Sequence, residues 1–399
     1  MRTLDEHRAA TLALAAPLAV VEVGLDEALG LVVAADVRTD DALPRWDNSA
    51  MDGYAVRAVD VADVPVTLQV IAELPAGSPD EPVVEPGTAA RIMTGAPLPP
   101  GADTIVPVEA TDGWAPDGVV TVHQPSGPGA HLRRAGEDAS AGDVVVAAGT
   151  VLRPAHVAAL ASVGRARVPV RRRPRIAVVS TGDELVEPGR PLRRGQLPDS
   201  NSWLLAAAVR EAGGEPLRIG PLPDDPAALH RRLLELDGDV DGIVTSGGVS
   251  AGAYDVVKAA LADEAGVQLV SVAVQPGKPQ GLGRLPGGTP IWTLPGNPVS
   301  SFASFEMFVR PALRRMQGAA DVERPSVQAV ADEGWRTPPG RAQLMPVRFV
   351  GPDRVVPATA RGSGSHLVAR LALAEGLAVV PEQVDEVVVG QRLHVLKVT

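Results

Sequence analysis

The sequence predicts a multidomain chain, with a central, mostly parallel α/β domain and β-rich domains before and after it. Three observations predict this. The 399 residues exceed the roughly 250–300 residues over which a single hydrophobic core keeps growing. From Arg175 onward, nearly continuous apolar runs alternate with helical segments, as parallel strands covered on both faces require. Within residues 47–138 and again after residue 322, short apolar runs alternate with turn residues instead.

Taken in order, residues 3–16 read as a helix, 20–23 as a strand, 25–31 as a second short helix and 32–37 as another strand. A polar turn follows, ending in Leu43-Pro44-Arg45-Trp46. In residues 47–138, pieces such as 66–71 sit among Gly77, Pro79, Pro82, Pro86-Gly87, Pro97 and Pro99-Pro100-Gly101. That punctuation predicts a compact β-rich domain with tight turns. Residues 139–172 supply a strand at 144–146 and a helix at 154–163, with Pro154 suited to the first helical position.

The central part begins with the strand 176–179. A helix at 202–212 follows, with Ser200 or Ser202 as its cap and Gly213-Gly214 as its stop. Next come a strand at 217–219, a helix at 226–236 and a strand at 242–245. A helix at 254–263, a strand at 267–274, a strand at 291–294 and a long helix at 299–316 complete it. Beyond residue 323, strands at 347–350, 377–380, 387–389 and 393–398 predict a small separate β domain. No internal repeat is present.

Composition narrows the function. Hydrophobic residues at 45% and charged residues at 21% place the bulk of the chain among globular proteins. Gly 41 and Pro 38, without a period, mean many turns rather than a fibrous chain. The net charge of -11 and aromatics at 3% argue against nucleic acid, whose binders need a basic face or stacking rings. The Arg171-Arg172-Arg173 run with Arg175 reads as a solvated strand boundary. With 0 cysteines, the chain has no disulfide, thiolate metal site or cysteine nucleophile. At the N-terminus, Asp5 and Glu6 offset Arg2 and Arg8, and Pro17 interrupts the apolar run, against a signal peptide. No stretch reaches the roughly 18 uninterrupted apolar residues of a membrane helix, so the expectation is a cytoplasmic protein with no membrane partner.

Ligands of open α/β sheets bind beyond the carboxyl ends of the strands. Three such ends carry polar, glycine-rich loops: 180–184, 245–252 and 294–301. Glycines let backbone N–H groups approach an anion, and a following helix N-terminus adds partial positive charge. Three loops on one sheet edge point to a phosphate-bearing ligand. No Walker A or Gly-x-Gly-x-x-Gly pattern follows the first strand, which weakens ordinary nucleotide readings. Asp183, Glu184, Asp199, Asp224 and Asp255 lie beside the loops. Carboxylates next to a phosphate site suit Mg²⁺, although Asp199 and Asp224 serve equally as caps of the helices that follow them. Gln275-Pro276-Gly277-Lys278-Pro279-Gln280 holds a lysine between prolines, where it can meet an oxyanion as a point charge.

Together the segments resemble the molybdopterin molybdenumtransferase family, which includes the E domain of gephyrin. The matching segments are DNSAMDGYAV at 47–56, RIMTGAPLPPGADTIVPVE at 91–109, RRAGED at 133–138 and STGDEL at 180–185. PDSNS at 198–202, TSGGVSAGAYDVVK at 245–258, PGKPQG at 276–281 and LPGNPVSSF at 294–302 continue the series. The order is kept from near residue 3 to the C-terminus.

The resemblance implies four parts: an elongated linker and dimerisation domain at 1–46 and 139–172, a β-rich domain at 47–138, a molybdopterin-binding α/β domain at 173–322 and a small C-terminal β-barrel at 323–399. It implies a cytoplasmic homodimer that inserts molybdate-derived molybdenum into adenylylated molybdopterin with Mg²⁺ and releases AMP. The adenylyltransferase of the preceding step is a further partner on this reading. That activity and a non-enzymatic scaffold role are the alternatives within related proteins. Asp52, Asp138, Glu184, Asp255 and Lys278 match the family's catalytic positions, with Glu184 and Asp255 holding the metal. Thr94, Arg133, Asp224 (or its neighbour Asp225), Ser246, Gly247, Gly248, Ser250, Pro295 and Pro298 match its substrate-binding positions. Relatives often carry a lysine where this chain has Gln275. One positive charge is then missing, and Gln275→Lys is expected to strengthen the response to molybdate. The resemblance also implies that Asp52, Thr94, Arg133 and Asp138 of one subunit work with Glu184, Asp255 and Lys278 of its mate.

Overall fold

The computed structural model describes residues 1–248, 255–359, 364 and 366–398. The chain forms two compact units, one of residues 1–35, 148–154 and 167–399, the other of residues 36–147 and 155–166.

In the first unit, the N-terminal helix is Leu4–Ala13. Thr3 Oγ1 accepts from Glu6 N, and the Glu6 carboxylate accepts from Thr3 N at 2.9 Å, closing a capping box. The helix expected at 25–31 is absent. Its residues form successive turns, with Glu27 N donating to Gly24 O and Ala28 N to Leu25 O. Seven residues ending near Gly30, whose φ is +77°, cannot repay helix nucleation, and the turns bury Ala28 and Leu31 instead. The strand expected at 32–37 is split. Val32–Val33 pairs with Val170 and Arg171, whereas Val37–Arg38 pairs with Val144 and Val146 in the other unit. An apolar run gives no sign that its two halves pair with different partners.

The central sheet runs Glu215–Leu222, Arg175–Thr181, Gly242–Ser246, Pro290–Leu294, Pro279–Arg284, Val267–Ser271. The first four strands are parallel and the last two antiparallel. Ile176 and Val178 pack with Leu205, Val209, Phe305 and Leu313 on one face. Ala177 and Val179 pack with Leu229, Leu233 and Val257 on the other. Apolar cover on both faces explains why the strand reads as an unbroken hydrophobic run.

The covering helices are Asn201–Glu211, Pro226–Leu236 and Val256–Ala260, with a long rod at 298–316 whose middle turn, Phe305–Val309, is π-helical. The helix expected at 254–263 therefore spans only five of those residues, and Tyr254 lies outside the described ones. The strand expected at 267–274 also divides. Val267–Ser271 stays in the sheet, and Val274–Gln275 leaves it to pair with the C-terminal domain.

That domain is a closed barrel. Ala342–Gly351, Arg354–Pro357, Ser326–Ala331, Arg392–Lys397 and Gly376–Val380 pair in turn, and the last pairs back to the first. Ala329, Met345, Val355, Ala378 and Val395 fill it. Closure leaves no free sheet edge among these five strands.

The second unit holds a five-stranded sheet, in the order Thr104–Pro107, Gly53–Val56, Thr88–Ile92, Val66–Leu74, Val119–Val122. Tyr54, Val56, Leu68, Val106 and Val120 pack on one face, and Ala55, Leu74, Ala90, Ile92 and Ile105 on the other.

Candidate functional site

The parallel register sets the site. Ser180 stands opposite Ser246, and Ser246 opposite Leu294, so three strand ends and their loops open on one edge of the sheet. A cavity of about 980 Å³ lies there. It is lined by Glu184, Asp224, Ser246, Gly247, Gly248, Asp255, Lys278, Pro295 and Pro298, nine of the residues singled out from sequence. Ser250 lies outside the described residues, as do Arg361, Gly362, Ser363 and Ser365.

Backbone contact holds the loops together. A Cβ on Gly296 would sit 3.3 Å from Gly247 Cα, and Gly247 has φ +98°. The Asn201 side chain ties the same loops. Its Nδ2 donates to Ser246 Oγ at 2.8 Å and to Gly296 O at 2.5 Å. Ser301 Oγ donates to Pro295 O, which secures the third loop. Sequence reasoning singled out the segment around Asn201 but not this residue, because its partners lie in two distant loops.

The carboxylates differ sharply. Asp199 is fully buried and accepts from Ser180 Oγ at 2.7 Å, Ser202 Oγ at 2.6 Å and Ser202 N at 3.1 Å. It caps the Asn201–Glu211 helix, and Ser200, at the cap position, makes no side-chain cap bond. Asp225, not Asp224, caps Pro226–Leu236, accepting from Ala227 N and Ala228 N. Asp224 instead trades backbone bonds with Asp183: Asp224 N donates to Asp183 Oδ1 at 3.1 Å, and Asp183 N to Asp224 Oδ2 at 3.4 Å. Asp255 precedes the Val256–Ala260 helix yet makes no side-chain cap bond, and its buried Oδ2 has no hydrogen-bond partner among the described residues. An unsatisfied buried acceptor costs about 1–3 kcal/mol. Asp255 lines the cavity, where a ligand could satisfy that oxygen.

Lys278 is exposed at the cavity. Its loop is fixed from below, where buried Gln280 Nε2 donates to Gly277 O at 2.7 Å and to Ser304 Oγ at 2.6 Å. Gly277 has φ +105°, and a Cβ there would lie 2.8 Å from Ser304 Oγ. Gln275 and His366 also line the cavity. Gln275 Oε1 accepts from Arg341 Nη1 at 2.9 Å.

The second unit gathers the other group. Leu98 N donates to Asp47 O, Ser49 N to Ala96 O, Gly95 N to Ser49 O and Ala50 N to His131 O. Arg133 pairs with Asn48 across a short ladder. Three segments that read separately as decorated turns thus form one cluster. Asp52 Oδ1 accepts from Thr94 N and Thr94 Oγ1, both at 2.7 Å. The Thr94 N–H first, and its hydroxyl second, hold the Asp52 carboxyl below the usual range. Asp47 is likewise lowered by Ala135 N–H and then by Arg134. Arg133 and Asp138 are exposed.

Among the described residues, no three His, Cys, Asp or Glu side chains form a ready metal cluster. Mg²⁺ bound to a phosphate ligand needs only one or two carboxylates from the protein. Asp255 Oδ2, with Glu184 and Asp224 lining the same cavity, fits that mode.

Comparison with known proteins matches this architecture in three pieces. Residues 2–164 match the model described as "MoeA N-terminal region (domain I and II)". Residues 177–315 match "Probable molybdopterin binding domain", and residues 328–398 match "MoeA C-terminal region (domain IV)". A crystal structure of the molybdopterin biosynthesis MoeA protein from Pyrococcus horikoshii superposes with a TM-score of 0.84 at 31% identity, covering 99% of this chain and 98% of that one. Fold and groove thus define a multidomain protein of the MoeA type, with a molybdopterin-binding α/β domain and a C-terminal barrel. Molybdopterin molybdenumtransferase 2 of Mycobacterium tuberculosis is 45% identical over 410 residues, covering 100% of both chains. Molybdopterin molybdenumtransferase 1 of the same organism is 37% identical over 422 residues, covering 99% of this chain and 98% of its own. The chain belongs to the molybdopterin molybdenumtransferase family.

Proposed function

We propose that this chain transfers molybdenum from molybdate into adenylylated molybdopterin, releasing AMP and yielding the molybdenum cofactor. The observation that carries the reading is the cavity itself. Three glycine loops, a buried Asp255 oxygen with no partner among the described residues, and the exposed Lys278 meet in one space. Backbone N–H groups of the loops suit the phosphate of the substrate. Lys278 draws an oxyanion by charge. Asn201 keeps the loops at a fixed spacing, so the phosphate meets preset donors.

Asp255 and Glu184 would hold Mg²⁺, which supplies Lewis-acid charge at the bond to AMP when bound. Asp52 and Asp138 serve as further acids, with Thr94 and Arg133 as donors to substrate. The protein acts as a cytoplasmic homodimer and receives its substrate from the adenylyltransferase of the preceding step. No described helix is long and apolar enough to cross a membrane. We also propose the division into a linker part at 1–46 and 139–172, a β-rich domain at 47–138, a central domain at 173–322 and a barrel at 323–399.

The test is incubation with adenylylated molybdopterin, molybdate and Mg²⁺. AMP and metal-bound cofactor should appear together. AMP release that does not depend on molybdate would overturn the reading.

A further inference from the structure

We propose that Arg341, at the entry to the C-terminal barrel, is a positioning residue for the anion end of the groove and acts through Gln275. The proposal rests on the reading that the Lys278 end takes an oxyanion. The strand Val274–Gln275 pairs in parallel with the start of Ala342–Gly351, Val274 opposite Ala342 and Gln275 opposite Gln343. Arg341, one residue before this pairing, reaches forward along it, and its Nη1 donates to Gln275 Oε1 at 2.9 Å in a half-buried setting. Gln275 lines the cavity two residues past a strand bend and three residues before Lys278, while Arg341 stands behind it.

The chemistry follows from the bond. An amide whose oxygen is held by a guanidinium has its Nε2–H₂ group left to offer, so Gln275 faces a ligand as a donor. Arginine stays protonated at any working pH, so that orientation does not titrate away. The charge-assisted bond also polarises the amide. Among the described residues lining the cavity, Lys278 is the one permanent cation, set against Glu184, Asp199, Asp224 and Asp255. The guanidinium behind Gln275 adds a second positive charge to this end without a second ammonium in the cavity wall. This reverses the expectation for Gln275→Lys, since a lysine there would press its charge against Arg341.

Binding of inorganic molybdate to the full chain, by calorimetry at low salt, tests the proposal. Arg341→Ala and Gln275→Ala should each weaken binding about fivefold, the scale of one charge at a partly solvated distance. The double variant should be no weaker than either single one, because the two act as a unit. Gln275→Lys alone should gain nothing. Arg341→Gln combined with Gln275→Lys should return to within about twofold of wild type, and this swap decides the matter should Arg341→Ala fail to fold. In turnover, Arg341→Ala should raise the half-saturating molybdate concentration and leave the maximal AMP release rate unchanged, a split that general loss of structure would not give. Arg341→Ala binding as wild type, or single effects that add, would overturn the role of Arg341 alone. Wild-type protein silent towards molybdate would overturn the oxyanion reading and this proposal with it.

Discussion

The groove of the α/β domain and the polar loops of the β-rich unit hold their acids in opposite states. Asp255 keeps an oxygen buried and, among the described residues, unpaired. Asp52 lies exposed, and Thr94 already gives one of its oxygens two donors. A carboxylate satisfied by its own loop holds that loop in shape and keeps its charge to lower pH than a free one. A carboxylate left unsatisfied in a cavity wall destabilises the empty protein and gains on binding. Asp52 thus orders its own loop besides the role proposed for it, whereas the proposed ligand capture falls to Asp255, although sequence pattern alone marks both as acids of one kind.

The largest expected effect comes from Asp255→Asn. The change keeps shape and removes charge, so AMP release should fall by about a hundredfold or more, while the melting temperature holds or rises. Unchanged release would erase the contrast. Chains carrying Asp52→Ala and chains carrying Asp255→Ala, each inactive alone, should regain activity when co-refolded, if the two groups act in trans within a homodimer. A mixture as inactive as its parents would show that they act within one chain.

A smaller effect is expected at Asn201. Asn201→Ala frees Ser246 Oγ and Gly296 O and should weaken binding of AMP about tenfold, near the value of one to two hydrogen bonds. Equal affinity would mean that the glycine loops hold their spacing without it.

The smallest effect is a titration. The Asp52 carboxyl carbon, followed by NMR, should titrate below the ordinary 3.8. A carboxyl lowered in the folded state contributes stability that is present above its unfolded value and is lost as pH falls through the folded one. Thr94→Val removes only the hydroxyl bond and should move the midpoint part of the way back. A midpoint at 3.8 in the parent protein would remove the satisfied side of the comparison.

The central fold was legible because its strands are covered on both faces. Ile176-Ala177-Val178-Val179 has no polar position to hide its nature, and the helices between strands fix the parallel order. The short pieces were not. Residues 25–31 carry helical spacing but are too few to nucleate, and residues 32–37 hold two pairings in one apolar run. At the site, the glycine loops, Asp255 and Lys278 could be read because each lies in a local pattern. Asn201 and Arg341 could not. Asn201 reaches loops 45 and 95 residues away, and Arg341 reaches Gln275 across 66 residues. Asp224 precedes a helix and so has the pattern of its cap, but Asp225 takes that place and leaves Asp224 to Asp183.

The meeting of Gly247 and Gly296 limits how this groove can be redesigned. A library that randomises both loops would lose most of its members to backbone collision or to a left-handed φ at these two positions. Directed evolution towards a different oxyanion has more room at Gln275, which lines the cavity from a segment next to the loop braced by Gln280. The scaffold thus separates what must be inherited from what can be varied, and places the two within a single pocket.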